Sequence, residues 1–125
     1  MKYCIFDFET MDPNLKKMGD GWCYPAHNSG YPFKVLCGVF RGSDGQEFVT
    51  GPDKELIQMI IDQYVVLVAH NAQYDLGCLE YLGVDFSKHQ IHDTMVMAKL
   101  HNSSRDGYSL DYLVKGYLGV DTGKF

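Results

Sequence analysis

The sequence predicts a mixed α/β domain in which three antiparallel strands precede alternating helices and strands, all in one mixed sheet flanked by helices. Three observations carry that expectation. The apolar run Tyr3-Cys4-Ile5-Phe6 leads into Asp7-Phe8-Glu9, as a strand running out of a core would. The turn-forming Gly42-Ser43-Asp44-Gly45 joins two stretches of strand composition. The unbroken run Val65-Val66-Leu67-Val68-Ala69 is then followed by segments with helical spacing and cap residues. At 125 residues the chain is long enough for one domain with one core.

Taken in order, residues 2–9 read as the first strand. Residues 10–32 hold Pro13, Gly19, Gly21, Pro25, Gly30 and Pro32 and read as a long irregular loop, a kind that is often functional. Phe33 to Arg41 is the second strand and Gln46 to Thr50 the third. Pro52 and Asp53 open a helix with Leu56, Ile57, Ile60 and Ile61 on one side. Val65 to Ala69 reads as a central strand buried on both faces. A helix follows from Ala72 to Leu82, with Gly83 beyond its end. A short strand surrounds Ile91, and Asp93 or Thr94 caps a third helix with Met95, Val96 and Leu100 turned inward. Ser109 starts a fourth helix carrying Leu110, Leu113, Val114 and Leu118, which Gly119 ends. The order β-β-β-α-β-α-β-α-α is the ribonuclease-H-like arrangement. Tyr-Leu-Gly-Val-Asp occurs at 81–85 and again at 117–121, but the flanks differ, so these are two similar helix ends and no repeat.

Composition narrows the function. The formal charge of −5 argues against non-specific electrostatic binding of nucleic acid, yet an acidic metal cleft is itself negative until cations arrive. No apolar run is long enough to cross a bilayer, and Met1-Lys2-Tyr3-Cys4 enters a strand without a signal-peptide pattern. Cys4, Cys23, Cys37 and Cys78 are scattered without CxxC spacing and read as reduced residues in or near the core. The expected location is the cytoplasm.

Asp7 and Glu9 are one residue apart, so on a strand they share a face. Like charges held side by side at the end of a core strand call for a cation. His70-Asn71-Ala72-Gln73-Tyr74-Asp75 follows the apolar strand and enters a helix, where open α/β sheets gather their sites. Asp75 on that first turn is expected to face Asp7 and Glu9, and three carboxylates in one cleft suit Mg²⁺ or Mn²⁺. Helix capping is the plainer role for Asn71, Asp75 and Asp93, and it is the one favoured for Asp93. Lys16, Lys17, Lys99, Arg105 and Lys115 read as solvated surface, Trp22 as packing or a nucleotide contact, and His27, His89, His92 and His101 do not cluster.

Asp7-Phe8-Glu9-Thr10, His70-Asn71-x-x-Tyr74-Asp75, Asp93-Thr94-Met95, Ser109-Leu110-Asp111-x-Leu113 and Tyr117-Leu118-Gly119, in this order, resemble the 3′→5′ exonucleases of the DEDD superfamily. The resemblance is greatest to the proofreading domain of phage-type family A DNA polymerases, and Asp12-Pro13-Asn14-Leu15 and Gly19-Asp20-Gly21-Trp22 are similar to a loop of such enzymes. It implies two-metal phosphodiester hydrolysis on single-stranded DNA 3′ ends during replication, with Asp7, Glu9 and Asp75 catalytic and holding two Mg²⁺ or Mn²⁺ ions. Thr10, Asn71 and Tyr74 would position the terminal nucleotides, and His70 would hold the turn.

The family's fourth carboxylate lies in a Tyr-x-x-x-Asp motif well beyond Tyr-Leu-Gly. Tyr117-x-x-x-Asp121 matches it formally but stands at the helix end that precedes that motif. Residues 1–125 are therefore expected to be a single exonuclease-like domain, an N-terminal piece without the last motif or a polymerase domain. A polymerase domain or a completing C-terminal segment would be its partner, or a second copy through apolar surface left open on the last helix and nearby sheet. Two other readings stand beside it: a non-catalytic nucleic-acid or partner-binding module, and a standalone small exoribonuclease of the same superfamily.

Overall fold

A computed structural model describes residues 2–11 and 33–121. The loop expected at 12–32, with Lys16, Lys17, Trp22, Cys23 and His27 and the two loop motifs of the resemblance, lies outside the described residues. Five strands form one sheet: β1 (Tyr3–Met11), β2 (Lys34–Gly42), β3 (Glu47–Thr50), β4 (Val66–Ala69) and β5 (Gln90–Asp93). Four helices complete the described fold: α1 (Lys54–Ile61), α2 (Ala72–Leu82), α3 (Thr94–His101) and α4 (Leu110–Leu118). The sheet order is β3-β2-β1-β4-β5, antiparallel from β3 to β1 and parallel from β1 to β5. This is the mixed sheet expected from the element order, with β1 rather than β4 at its middle. Val66 and Leu67 are adjacent and both buried, so β4 is nonetheless covered on both faces.

The local chemistry explains the boundaries. Gly45 takes φ +87° in the β2–β3 turn and donates its N–H to the Gly42 carbonyl at 3.0 Å. The Asp53 carboxylate accepts the Leu56 N–H at 3.1 Å and starts α1. Both Tyr-Leu-Gly-Val-Asp segments end helices on a left-handed glycine, Gly83 at φ 80° and Gly119 at φ 66°, which accounts for their likeness without a repeat.

The core lies on one face of the sheet. Cys4, Phe6 and Phe8 of β1 meet Phe40 and Leu67 there, under Ile57, Ile60 and Ile61 of α1 and Cys78 and Leu79 of α2. Phe6 stacks on Phe40, and Phe8 meets both rings edge-on. The alternate residues, Tyr3, Ile5 and Asp7, stand on the other face with Val39 and Val49, and Val49 is 76% exposed. At the end remote from Asp7, the Tyr64 hydroxyl donates to Asp44 Oδ1 at 2.9 Å, and burial with that acceptor pushes its pKa up to about 12. A Cβ on Gly42 would overlap the Tyr64 hydroxyl and the Asp44 carboxylate. Gly42→Ala should therefore cost about 1–3 kcal/mol in urea denaturation by forcing Tyr64 off its partner. An unchanged midpoint would contradict that packing.

The third helix departs from its expected orientation. Val96 and Leu100 are 47% and 82% exposed, Met95 is half-buried, and Ala98 alone in this helix is buried. The helix follows directly on β5, which stands at the edge of the sheet among the described residues. In α4 only Leu113 is buried, while Leu110 and Leu118 stay exposed beside Met97 and Tyr117 in an apolar groove between the two helices. Cys4 and Cys78 are buried and Cys37 is half-buried, none in a disulfide. Among the described residues no helix is long and apolar enough to cross a membrane.

Candidate active site

The site arises because β1 outruns β4. Their parallel pairing ends at Ile5↔Val68, whereas β1 continues to Met11 along β2, with a bulge between Glu9 and Thr10. Beyond Ile5, the edge of β1 that faces β4 has no paired strand among the described residues. The first turn of α2 lies there instead, and Phe8 donates its backbone N–H to Asp75 Oδ1 at 3.1 Å. Asp75 is 4% exposed. One hydrogen bond thus seats the helix carboxylate against the residue between Asp7 and Glu9. Thr10 belongs to the strand and not to the loop expected from residue 10 onward, and its Oγ1 meets the Tyr74 hydroxyl at 2.8 Å. That is a second tie between β1 and α2.

The carboxylates act on one another electrostatically. Asp75 is pushed up to about 7, first by burial, then by the charge on Asp7, with smaller pushes from Asp93 and Glu9 against the Phe8 hydrogen bond. Asp7 is also raised, by partial desolvation and then by Glu9. Asp7, Glu9 and Asp75 therefore share one field, as the sequence leads one to expect. Their carboxylates do not close into a ready-made cage: among the described residues no group of three or more His, Cys, Asp or Glu has metal-enclosing geometry. A buried acid whose ionised form is opposed by three other carboxylates is what a hard divalent cation would stabilise, and oxygen donors suit one.

The entry to α2 is unusual. Asn71, at its N-cap, has φ 56° and ψ 61°, the only left-handed conformation among the described residues other than glycine, and its side chain makes no capping bond. The Asp93 carboxylate accepts the Asn71 and Ala72 N–H groups, as well as those of Met95 and Val96 in α3. Sequence patterning points to the cap on α3 and misses the one on α2, because the second depends on β4 and β5 lying side by side with Ala69 opposite Asp93. His70 bonds the Thr94 hydroxyl through Nδ1 at 2.9 Å and the Tyr108 carbonyl through Nε2 at 2.7 Å, so it ties this turn to the α3–α4 region. Tyr117, from the formal Tyr-x-x-x-Asp, is engaged elsewhere: its hydroxyl bonds His101 at 2.7 Å and its ring lies beneath Arg105.

Comparison with known proteins bears on the family and the fold. The profile of a family described as 3′-5′ exonuclease matches residues 46–124, a stretch that contains Asp75 and Asp93 but not Asp7 or Glu9. Brucella melitensis NrnC bound to pGG superposes with a TM-score of 0.69 at 17% identity, covering 98% of this chain and 55% of that one. The same protein with bound Mg²⁺ gives 0.68 at 16% identity, covering 98% of this chain and 56% of that one. These likenesses show the ribonuclease-H-like exonuclease fold, and the chain spans about half the length of those structures. No curated protein sequence matches it.

Proposed function

The chain belongs to the 3′-5′ exonuclease family, and on that premise we propose that it is a divalent-metal-dependent hydrolase removing nucleotides from single-stranded 3′ ends. The observation that carries this reading is the Phe8 N–H bond to Asp75, which sets the helix carboxylate beside Asp7 and Glu9. These three residues would hold Mg²⁺ or Mn²⁺, as a pair of ions, supplying Lewis-acid activation of a water and charge stabilisation on the scissile phosphate.

The chain's own residues have the remaining tasks. The bonded pair Thr10 and Tyr74 brings a hydroxyl and an aromatic ring to the rim of the acidic cluster, suited to a sugar edge and a stacked base. Asn71 brings a carboxamide that its own helix does not use. The net charge of −5 fits an enzyme that grips a strand end through its ions, in preference to one that coats a duplex. A proofreading role on DNA, in a cytoplasmic domain spanning 1–125 that works with a polymerase or a completing segment, is the first form of this proposal. A standalone enzyme acting on short RNA is the second, and the likeness to a nuclease bound to pGG favours it. The open groove between α3 and α4 would be the surface on which a completing segment or a second copy rests.

The test uses 3′-extended DNA and RNA oligonucleotides labelled at the 5′ end, with Mg²⁺ or Mn²⁺. Stepwise shortening from the 3′ end is expected, abolished by chelator and reduced on the order of 10²–10³-fold by Asp7→Asn. Faster loss of DNA supports the proofreading form, and faster loss of RNA the second. Mn²⁺ binding without turnover would mark a binding module. Cleavage that ignores both chelator and Asp7→Asn would remove the proposal.

A further inference from the structure

We propose that Asp93 is a positioning residue for the metal-binding carboxylate Asp75, acting through the left-handed turn at Asn71; this rests on the metal-site reading above. Asp93 ends β5 directly opposite Ala69, the last residue of β4. From there one carboxylate reaches the starts of two helices. Oδ1 accepts the N–H of Asn71 at 3.0 Å, of Met95 at 2.9 Å and, more weakly, of Val96 at 3.4 Å. Oδ2 accepts the N–H of Ala72 at 2.8 Å. Capping α3 alone would need only the bonds to Met95 and Val96, and a serine could make such a cap. The bonds to Asn71 and Ala72 have a different consequence.

A helix usually closes its first turn with the side chain of its own N-cap residue in an extended conformation. Asn71 is left-handed instead and makes no such bond. A side-chain-bearing residue holds that conformation only where its surroundings impose it. Asp93 supplies the restraint by binding the two N–H groups on either side of the Asn71 α-carbon. The Asn71 carbonyl then accepts the Tyr74 N–H at 3.2 Å, so the turn sets the next residue, Asp75, against Phe8. His70, bonded to Thr94 and Tyr108, reinforces the same junction from the preceding residue. Sub-ångström placement of a ligand carboxylate matters for metal affinity, and groups that orient ligands typically change it about 10–100-fold when lost.

The test separates this role from ordinary helix capping. Asp93→Ser keeps a cap for α3 but is too short to hold Asn71 and Ala72. Asp93→Asn, of nearly the same shape, must turn an N–H₂ donor toward backbone donors and is the second variant should the first fail to fold. Asp53→Ala, which removes the cap of the remote α1, controls for loss of stability. Calorimetry with Mn²⁺ should show affinity lowered about tenfold or more in the Asp93 variants, and unchanged in Asp53→Ala despite its lower unfolding midpoint. Amide exchange at Asn71 and Ala72 should accelerate in the same variants. Adding Asn71→Gly to Asp93→Ser should recover part of the affinity, since glycine takes the left-handed turn without restraint. Wild-type affinity in a folded Asp93→Ser or Asp93→Asn, with Asp7→Asn still abolishing binding, would overturn the positioning role and leave the metal site standing. Absence of Mn²⁺ binding in the wild type would instead overturn the metal reading itself.

Discussion

Asp75→Asn should make the metal-free protein more stable at about pH 8 while sharply lowering turnover. Asp75 is buried, and its folded-state pKa is raised to about 7 while an unfolded chain would titrate in the ordinary carboxylate range. The folded state therefore holds a proton that the unfolded state releases. Stability contributed by the protonated acid is fully present below the unfolded value and is lost as pH rises through the folded one. Between about pH 4 and about pH 7 the chelator-treated wild type should lose about 2–4 kcal/mol, because each pH unit between the two pKa values is worth about 1.4 kcal/mol. The asparagine keeps an acceptor for the Phe8 N–H and carries no charge, so most of that slope should vanish.

Added Mg²⁺ or Mn²⁺ should restore stability to the wild type above neutrality and do little for the variant, because a ligand stabilises only the state that binds it. Activity should fall on the order of 10³-fold, since under the proposed metal reading the variant would lose a ligand and not merely its orientation. Urea denaturation as a function of pH, with and without metal, reads all of this. A wild-type stability that climbs from acid to neutral pH would refute it.

Phe40→Ala should bring the domain to the edge of unfolding. Phe40 is fully buried, stacked on Phe6 at 6.1 Å and edge-on to Phe8 at 5.8 Å. It is the β2 side of the aromatic cluster beneath β1. Removing such a ring costs about 3–5 kcal/mol, against a total stability of about 5–15 kcal/mol for a domain of this size. The site should suffer with the fold, since Asp7 and Glu9 lie on the strand whose other face rests on that ring. Phe40→Leu, which leaves a smaller void, should cost about half as much. Cys4 and Cys78 provide an independent readout: both are completely buried, so their thiols should resist modification in the wild type and react in Phe40→Ala. Wild-type thiol protection in that variant would contradict the packing described.

Much of this protein is legible in its residues for local reasons. The α2 bounds, Ala72 to Leu82 with Gly83 after them, follow from helical spacing and from the ease with which glycine turns left-handed. Asp7 and Glu9 share the face opposite Phe6 and Phe8 because strand side chains alternate. The third helix defeats such reasoning for the complementary cause. Met95, Val96 and Leu100 have apolar side chains, but whether an apolar face is covered depends on what lies across from it, and α3 follows a strand that is at the sheet edge among the described residues.

The order of elements, the caps and glycines that bound them, and the shared face of Asp7 and Glu9 are legible in the residues, because each depends on positions a few residues apart. Long-range contacts set the rest: Phe8 holds Asp75 across 67 residues, Asp93 serves α2 as well as α3, and Asn71 is left-handed. Those features exist because β1 outruns β4 and β5 lies beside it. Strand register brings distant backbone donors to a carboxylate, and no local pattern encodes it.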